Sequence, residues 1–344
     1  MKGLELSEQF YKEYGEPMLR ENFPELLPFL AAGLFGSGSE CLGYDDETSE
    51  DHDFEPGFCI ILPGEDVVDR KQAFQLERAY MKLPQEYLGY KRPKMLPVGG
   101  ARRGVIRMAD FFSEHTGYET GDPDPYDYLH LPEQSLLEAT NGKVFFDNYG
   151  EFTRIRRNLS YFPEDIRLKK LSGQLLLMEQ AGQYNYPRIL KHKETAAAQL
   201  ALNEFVKASL SVVYLLNKRY QPYYKWVFRG FRDLQVLTEL KEDLEVLLMT
   251  DNEPETAEIK MDIIEKICQN VRNELSRQGL LDLSRTSHGI GPLNPLKMER
   301  PNSQVPDEKE EEGENNADLE RIAYQVNDMI TDPDIRNLHI LAGV

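Results

Sequence analysis

Apolar positions along the chain recur with two different periods. Up to about residue 150, short apolar runs alternate with helically spaced stretches; beyond it the spacing is helical almost throughout. Residues 6–30 read as two short helices, with Phe10, Tyr14 and Leu19 and then Leu26, Leu27 and Leu30 as apolar contacts. The run 31–35, Ala-Ala-Gly-Leu-Phe, is bounded by Gly and Ser and predicts a buried strand. Gly36-Ser37-Gly38-Ser39 then forces a turn. Residues 54–62 read as a second strand, 68–83 as a helix, and 104–108 as a third strand running into a short helix capped near Asp110. A loop over 121–128, a helix over 132–140 and a fourth strand over 143–147 complete the pattern. Strands and helices mixed in this way predict an α+β domain over 1–150.

From 151 to 284 the spacing predicts a helical bundle, with helices over 164–181, 187–217, 222–231 and 256–277, several of them opening on Pro. Residues 285–317 are rich in Pro, Asn, Ser and Glu, and the composition predicts a disordered acidic insertion. A last helical segment lies in 318–344, with Leu319, Ile322, Ala323, Val326 and Ile330 on one face, and is expected to dock on the bundle.

Composition narrows the class. No apolar run approaches the roughly 20 residues that cross a bilayer, and the chain turns polar directly after Met1-Lys2-Gly3. Cys41, Cys59 and Cys268 fit no zinc spacing and leave one thiol over in any pairing. A cytoplasmic protein, away from membranes, is the expectation. The net charge of −19 argues against broad nucleic-acid binding. The charge is also unevenly placed. Residues 40–66 carry ten acidic side chains and no Lys or Arg, whereas 91–107 carry six basic side chains and no acid.

The chemistry-bearing pattern lies in residues 31–62. A buried strand ends in Gly36-Ser37, a loop follows, and Asp51-His52-Asp53 opens the next apolar run. On a strand, Asp51 and Asp53 would share one face, and two close carboxylates call for a divalent cation such as Mg²⁺ between them. Gly36 permits a sharp turn, which would leave Ser37, Ser39 and neighbouring N–H groups to cradle phosphate oxygens.

This order resembles the DNA polymerase beta-like nucleotidyltransferase superfamily, and in particular one bacterial branch with Asp-His-Asp at its site. The branch's other features have counterparts in Gly142–Asp147, in Arg156, Leu159, Tyr161, Phe162, Pro163 and Asp165, and in Tyr220, Pro222, Tyr223, Lys225 and Trp226. The resemblance implies Mg²⁺-dependent transfer of a nucleoside monophosphate from a nucleoside triphosphate to an acceptor hydroxyl. Asp51 and Asp53 would be the catalytic metal ligands, with Gly36, Ser37, Ser39 and Lys225 on the nucleotide. Two departures are visible. No Arg follows Asp53, and the third strand offers no third carboxylate. Asp110 is the nearest candidate, with helix capping as its other reading; Asp147 is the next. These departures keep a second reading open, a nucleotide- or partner-binding protein of the same fold without catalysis. Trp226 reads as core, and Arg102 and Arg103 as a solvated loop.

Overall fold

The computed structural model describes residues 1–51, 55–92, 103–281 and 319–344. Its contacts divide the chain into two units, one of Met1–Ile166 with Lys218–Leu234, the other of Arg167–Asn217 with Gln235–Val344.

The first unit is built on a small mixed sheet. Its strands are β1 (Ala31–Leu34), β2 (Cys59–Leu62), β5 (Gly104–Arg107) and β6 (Lys143–Asp147), in the order β5-β2-β1-β6. β1 is antiparallel to both neighbours, while β2 and β5 are parallel. A separate two-stranded hairpin joins β3 (Glu86–Tyr87) to β4 (Tyr90–Lys91). All four residues of β1 and of β2 are buried, so both strands read as continuous apolar runs rather than alternating ones.

Helices α1 (Gly3–Phe10), α2 (Glu16–Asn22) and α4 (Arg70–Met81) share one apolar cluster with the sheet. There Phe10, Leu19 and Leu76 meet Ala32, Ile60 and Leu62. The short α3 (Ser39–Leu42) follows the Gly-Ser turn. A second aromatic cluster joins Phe35, just beyond β1, to Phe111 of α5 (Met108–Thr116) at 5.3 Å and to Phe152 of α7 (Glu151–Asn158) at 4.9 Å. Between those two helices in the chain lies α6 (Glu133–Thr140).

The second unit is helical. It comprises most of α8 (Glu164–Met178), then α9 (Tyr186–Lys191), α10 (Thr195–Leu216), α11 (Leu240–Met249), α12 (Pro254–Arg277), α13 (Leu319–Asp328) and α14 (Pro333–Arg336). A π-helical turn, Glu179–Asn185, links α8 to α9. It carries Gly182, where an added Cβ would come within 2.3 Å of the Phe205 ring. No helix among the described residues is long and apolar enough to cross a membrane.

A small mixed sheet with many helices agrees with the α+β reading. Several local expectations differ. The second strand is shorter than 54–62: the chain bends at Pro56 and the ladder begins only at Cys59. The stretch 187–217 is two helices, broken where Lys193 takes a left-handed φ of 60°. Residues 222–231 are turns leading into a 3-10 segment, Arg229–Asp233, and these residues group with the first unit. Their aromatic spacing is helical, yet the anchors it supplies bind to loops. The expected acidic insertion lies outside the described residues, apart from its final neighbour helix.

The last chain segment is held by a buried amine. Lys169 on α8 is fully enclosed, and its Nζ donates to Asn327 Oδ1 at 2.8 Å and to the carbonyls of Leu338 at 2.7 Å and Arg336 at 3.2 Å. All three partners are neutral, and burial pushes the Lys169 amine down from 10.5 to about 8. The folded state therefore releases this proton near pH 8, while the unfolded chain keeps it to about 10.5. Between those values the unfolded state binds more protons, so this group makes stability rise with pH. Lys169→Met strands three acceptors and destabilises at every pH. In addition, the melting-temperature gap between parent and variant should widen from pH 8 to pH 10. A gap independent of pH would show that Lys169 titrates as an ordinary lysine.

Candidate functional site

Strand direction decides which predicted residues meet. β1 pairs Gly33 with Cys59 and Leu34 with Lys143, so the end of β1 lies beside the starts of β2 and β6. β5 runs parallel to β2, pairing Cys59 with Gly104, and its start lies at the same sheet end. Four chain segments thus converge there: the turn after Phe35, residues 55–58, Arg103 and Asn141-Gly142.

The turn itself is shaped by glycine. Gly36 has φ +99° and Gly38 φ +122°, backbone regions that L side chains rarely adopt. Gly36 is buried, yet a Cβ on it would meet nothing within 4 Å, so there is room beside the turn at this position. Its backbone is nonetheless fixed. Gly36 N–H donates to Asn141 Oδ1 at 2.9 Å, and Asn141 Nδ2 donates back to the Gly36 carbonyl at 2.8 Å. The amide side chain thereby acts as a short strand partner for one peptide unit. Gly142 N–H donates to the Cys41 carbonyl at 2.9 Å. Arg156, stacked over Phe35 and Phe152 at 5.2 and 5.4 Å, donates to the carbonyls of Ala139 and Asn141. Burial pulls its guanidinium down to about 10. Ser37 is exposed, and Ser39 opens α3 half-buried.

The acidic loop that follows is largely compensated by cations of the chain itself. Glu40 and Arg103 form a buried ion pair at 2.8 Å, each side chain 5% exposed. Arg103 also donates to the Glu55 carbonyl and lies 3.8 Å from its carboxylate. Asp45 accepts from Gly3 N–H at 2.9 Å and sits 3.5 Å from Lys2, at the start of α1. Asp46 pairs with Arg229 at 2.8 Å, which holds its carboxyl below the usual carboxylate range. Arg103, expected on a solvated loop, is instead a buried cross-link between the turn helix and the approach to β2.

The distant segment Lys218–Leu234 clamps the same loop. Arg229 donates to the Tyr44 carbonyl, Arg232 donates to the Gly43 carbonyl at 2.6 Å, and the Tyr44 hydroxyl donates to Asp233 at 2.8 Å. Tyr44 lies 6.0 Å from Trp226, ring to ring, and its N–H donates to the Ser39 carbonyl at 2.8 Å. Lys225 is exposed, its Nζ 5.0 Å above the Trp226 ring. Trp226 is half-buried rather than core, with Arg229 4.8 Å from the ring centroid as well.

Asp51 ends a 3-10 turn, Glu47–Asp51, rather than opening a strand, so the strand-face argument does not apply to it. Asp53 lies outside the described residues, as does Arg102. Among the described residues no group of three or more His, Cys, Asp or Glu side chains could hold a metal. The third-carboxylate candidates are not brought to the turn. Asp110 is exposed in the first turn of α5, beyond Arg107, which pairs with Leu62 at the opposite sheet end. That is on the order of 10 Å along the strands at about 3.3 Å per residue. It is not an N-cap, since that position is Arg107. Asp147 pairs with Ala31, also at the far end, and its carboxylate accepts Gly150 N–H at 2.7 Å and Thr153 N–H at 2.8 Å at the start of α7.

Sequence reasoning missed Asn141 and the Glu40–Arg103 pair, and it named Arg156 only within a motif, without its place on Phe35 and Asn141. Asn141-Gly142 before an apolar strand was a visible turn signal, but its partner lies across the sheet and leaves no local trace.

A family model described as a domain of unknown function, DUF4037, matches residues 128–227. The matched stretch contains Asn141 and Arg156, which hold the Gly36 turn, and Trp226, which adjoins Tyr44 of the loop after it. No curated protein and no solved structure gives a significant match to the chain.

Substitutions at the two glycines and at the buried ion pair test this arrangement. At Gly142 a Cβ would fall 2.0 Å from the Leu34 carbonyl, at φ +67°, so Gly142→Ala should cost about 3 kcal/mol or more. Gly36→Ala meets open space and should cost only about 1–2 kcal/mol, through backbone strain. Urea midpoints at unchanged slope measure both. Arg103→Met strands a buried carboxylate and should cost about 3–5 kcal/mol, whereas Arg103→Met with Glu40→Gln should recover most of it. A double variant no more stable than the single one would show that the pair's charges are not the cause.

Proposed function

We propose that this chain is a magnesium-dependent nucleotidyltransferase acting on a nucleoside triphosphate and an acceptor hydroxyl. The observation that carries the reading is the Gly36 turn: glycine-shaped, with room at the Gly36 Cβ position, pinned by Asn141, and at the sheet end where β2 begins. The Asp51-His52-Asp53 triplet precedes β2 in the chain. Asp53 stands six residues before Cys59 in the chain, and this short connection supports reading the carboxylates together with the turn.

In this reading Ser37 and Ser39 receive the triphosphate through hydroxyls and backbone N–H groups, Gly36 shapes the turn while its own N–H stays on Asn141, and Lys225 supplies positive charge from the clamping segment. Asp51 and Asp53 would hold Mg²⁺, whose preference for hard oxygen donors they match. Glu40, Asp45 and Asp46 already engage cations of the chain, which leaves the donor role to the later carboxylates of the loop. Bound Mg²⁺ supplies charge neutralisation on the phosphates. The acceptor oxygen bonds to the α-phosphorus as the bond to the bridging oxygen breaks. Pyrophosphate leaves with that electron pair, and the hydroxyl proton passes to solvent. The turn's contribution is to hold the triphosphate in line for this displacement.

One observation favours the second reading, a nucleotide-binding protein without turnover: both third-carboxylate candidates stand at the far sheet end. Nucleotide consumption measured with and without Mg²⁺ separates the two. The parent should release pyrophosphate only with Mg²⁺, and Asp51→Asn should lose about 100-fold or more, the scale of losing a charge clamp. Calorimetric nucleotide binding without pyrophosphate release would establish the binding reading instead.

A further inference from the structure

The segment 218–232, like 91–107, is a basic stretch of an acidic chain. Its fifteen residues include Lys218, Arg219, Lys225, Arg229 and Arg232, four aromatic residues among positions 220–226, and no carboxylate. Its base is firmly held. Tyr220 is buried and its hydroxyl donates to the Leu159 carbonyl at 2.9 Å, while Gln221 N–H donates to Glu133 at 2.8 Å. Pro222 and Val227 are buried, and Trp226 N–H closes a turn onto the Tyr223 carbonyl at 2.8 Å. Between these anchors three side chains stand in solvent: Tyr223 at 43% exposure, Tyr224 at 75%, and Lys225. The two tyrosine rings lie 4.2 Å apart and inclined at 45°.

Two large rings held in water on a stapled turn bring the fold little burial. Trp226 is already covered by Lys225 and Arg229, so the faces open to a ligand are those of the tyrosines. Aromatic faces beside cations suit unpaired bases joined by phosphates, because stacking needs a π-face and the backbone needs positive charge. The platform is broad and open rather than a cavity, which suits a strand crossing a surface. We infer that Tyr223, Tyr224 and Lys225 form a stacking platform for the unpaired end of a single-stranded nucleic acid.

The inference rests on the transfer reading only in naming that strand as the acceptor. Through Tyr44 the platform adjoins the Ser39 end of the turn helix. The net charge of −19 opposes phosphate strands at long range. At moderate salt, screening beyond about 8–10 Å leaves the local cations to act. Binding should therefore be confined to this surface and weakly salt-dependent. About two phosphates neutralised give a slope near −1.4 in log K against log salt.

The test is fluorescence anisotropy of the full chain with a labelled single-stranded oligoadenylate RNA of about ten nucleotides. The same sequence as a duplex serves as control. The single strand should bind and the duplex should not. Tyr224→Ala should weaken binding roughly 5- to 100-fold, Tyr224→Phe should retain it, and Lys225→Ala should flatten the salt slope by about 0.7. Absence of strand binding, or an unchanged Tyr223→Ala/Tyr224→Ala double variant, overturns the inference. So does displacement by free ATP as effective as by unlabelled strand, which would make the occupant the base of the donor nucleotide. Strand binding without pyrophosphate release would sink the transfer reading alone; pyrophosphate release without strand binding would sink this inference alone.

Discussion

β1 lies between two antiparallel neighbours, and the candidate site depends on that arrangement. An antiparallel pair brings the end of one strand to the beginning of the other. With β2 and β6 both antiparallel to β1, and β5 parallel to β2, one sheet end collects the exit of one strand and the starts of three. Residues far apart in the chain, Gly36, Glu55, Arg103 and Asn141, become neighbours there. The same geometry sends Asp110 and Asp147 to the opposite end, where Asp147 serves the start of α7.

Charge is managed locally at this sheet end. The acidic loop would repel itself if its carboxylates stood alone, yet Glu40, Asp45 and Asp46 each meet a different cation, from β5's approach, the amino terminus and the clamping segment. A buried pair such as Glu40–Arg103 contributes little net stability against an apolar replacement, but removing one partner is costly. Its consequence is positional: it ties the helix after the turn to the residues preceding β2. The clamp over Gly43–Asp46 repeats this with an exposed pair and backbone carbonyls. The clamp fixes the chain before the Asp51-His52-Asp53 triplet, while Arg103 holds Glu40 before it and Glu55 after it.

The second unit follows a different logic. Its helices bury polar groups as well as apolar ones, and Lys169 gathers the last chain segment through neutral acceptors rather than a carboxylate. Gly173 lets that segment approach closely, since a Cβ there would come within 2.4 Å of Val344. Such contacts fix a terminal segment that a short helix alone would leave frayed.

Much of this was legible in the chain. Apolar runs at 31–35 and 54–62 marked two strands, of which the structure keeps Ala31–Leu34 and Cys59–Leu62. Gly-Ser-Gly-Ser marked a turn needing positive φ, and helical spacing marked the second half. These are short-range constraints: backbone sterics and burial periodicity act over a few residues and leave a local signature. Periodicity misled at 222–231, where aromatic residues spaced as in a helix are anchors for a turn. Nothing local distinguishes an aromatic that packs in a helix from one that binds a distant loop. The partners of Glu40, Asp46, Gly36 and Asn141 were likewise invisible, because a charge or an amide carries no mark of the residue it will meet. Strand order and direction decided those pairings, and with them which of the predicted residues share one end of the sheet.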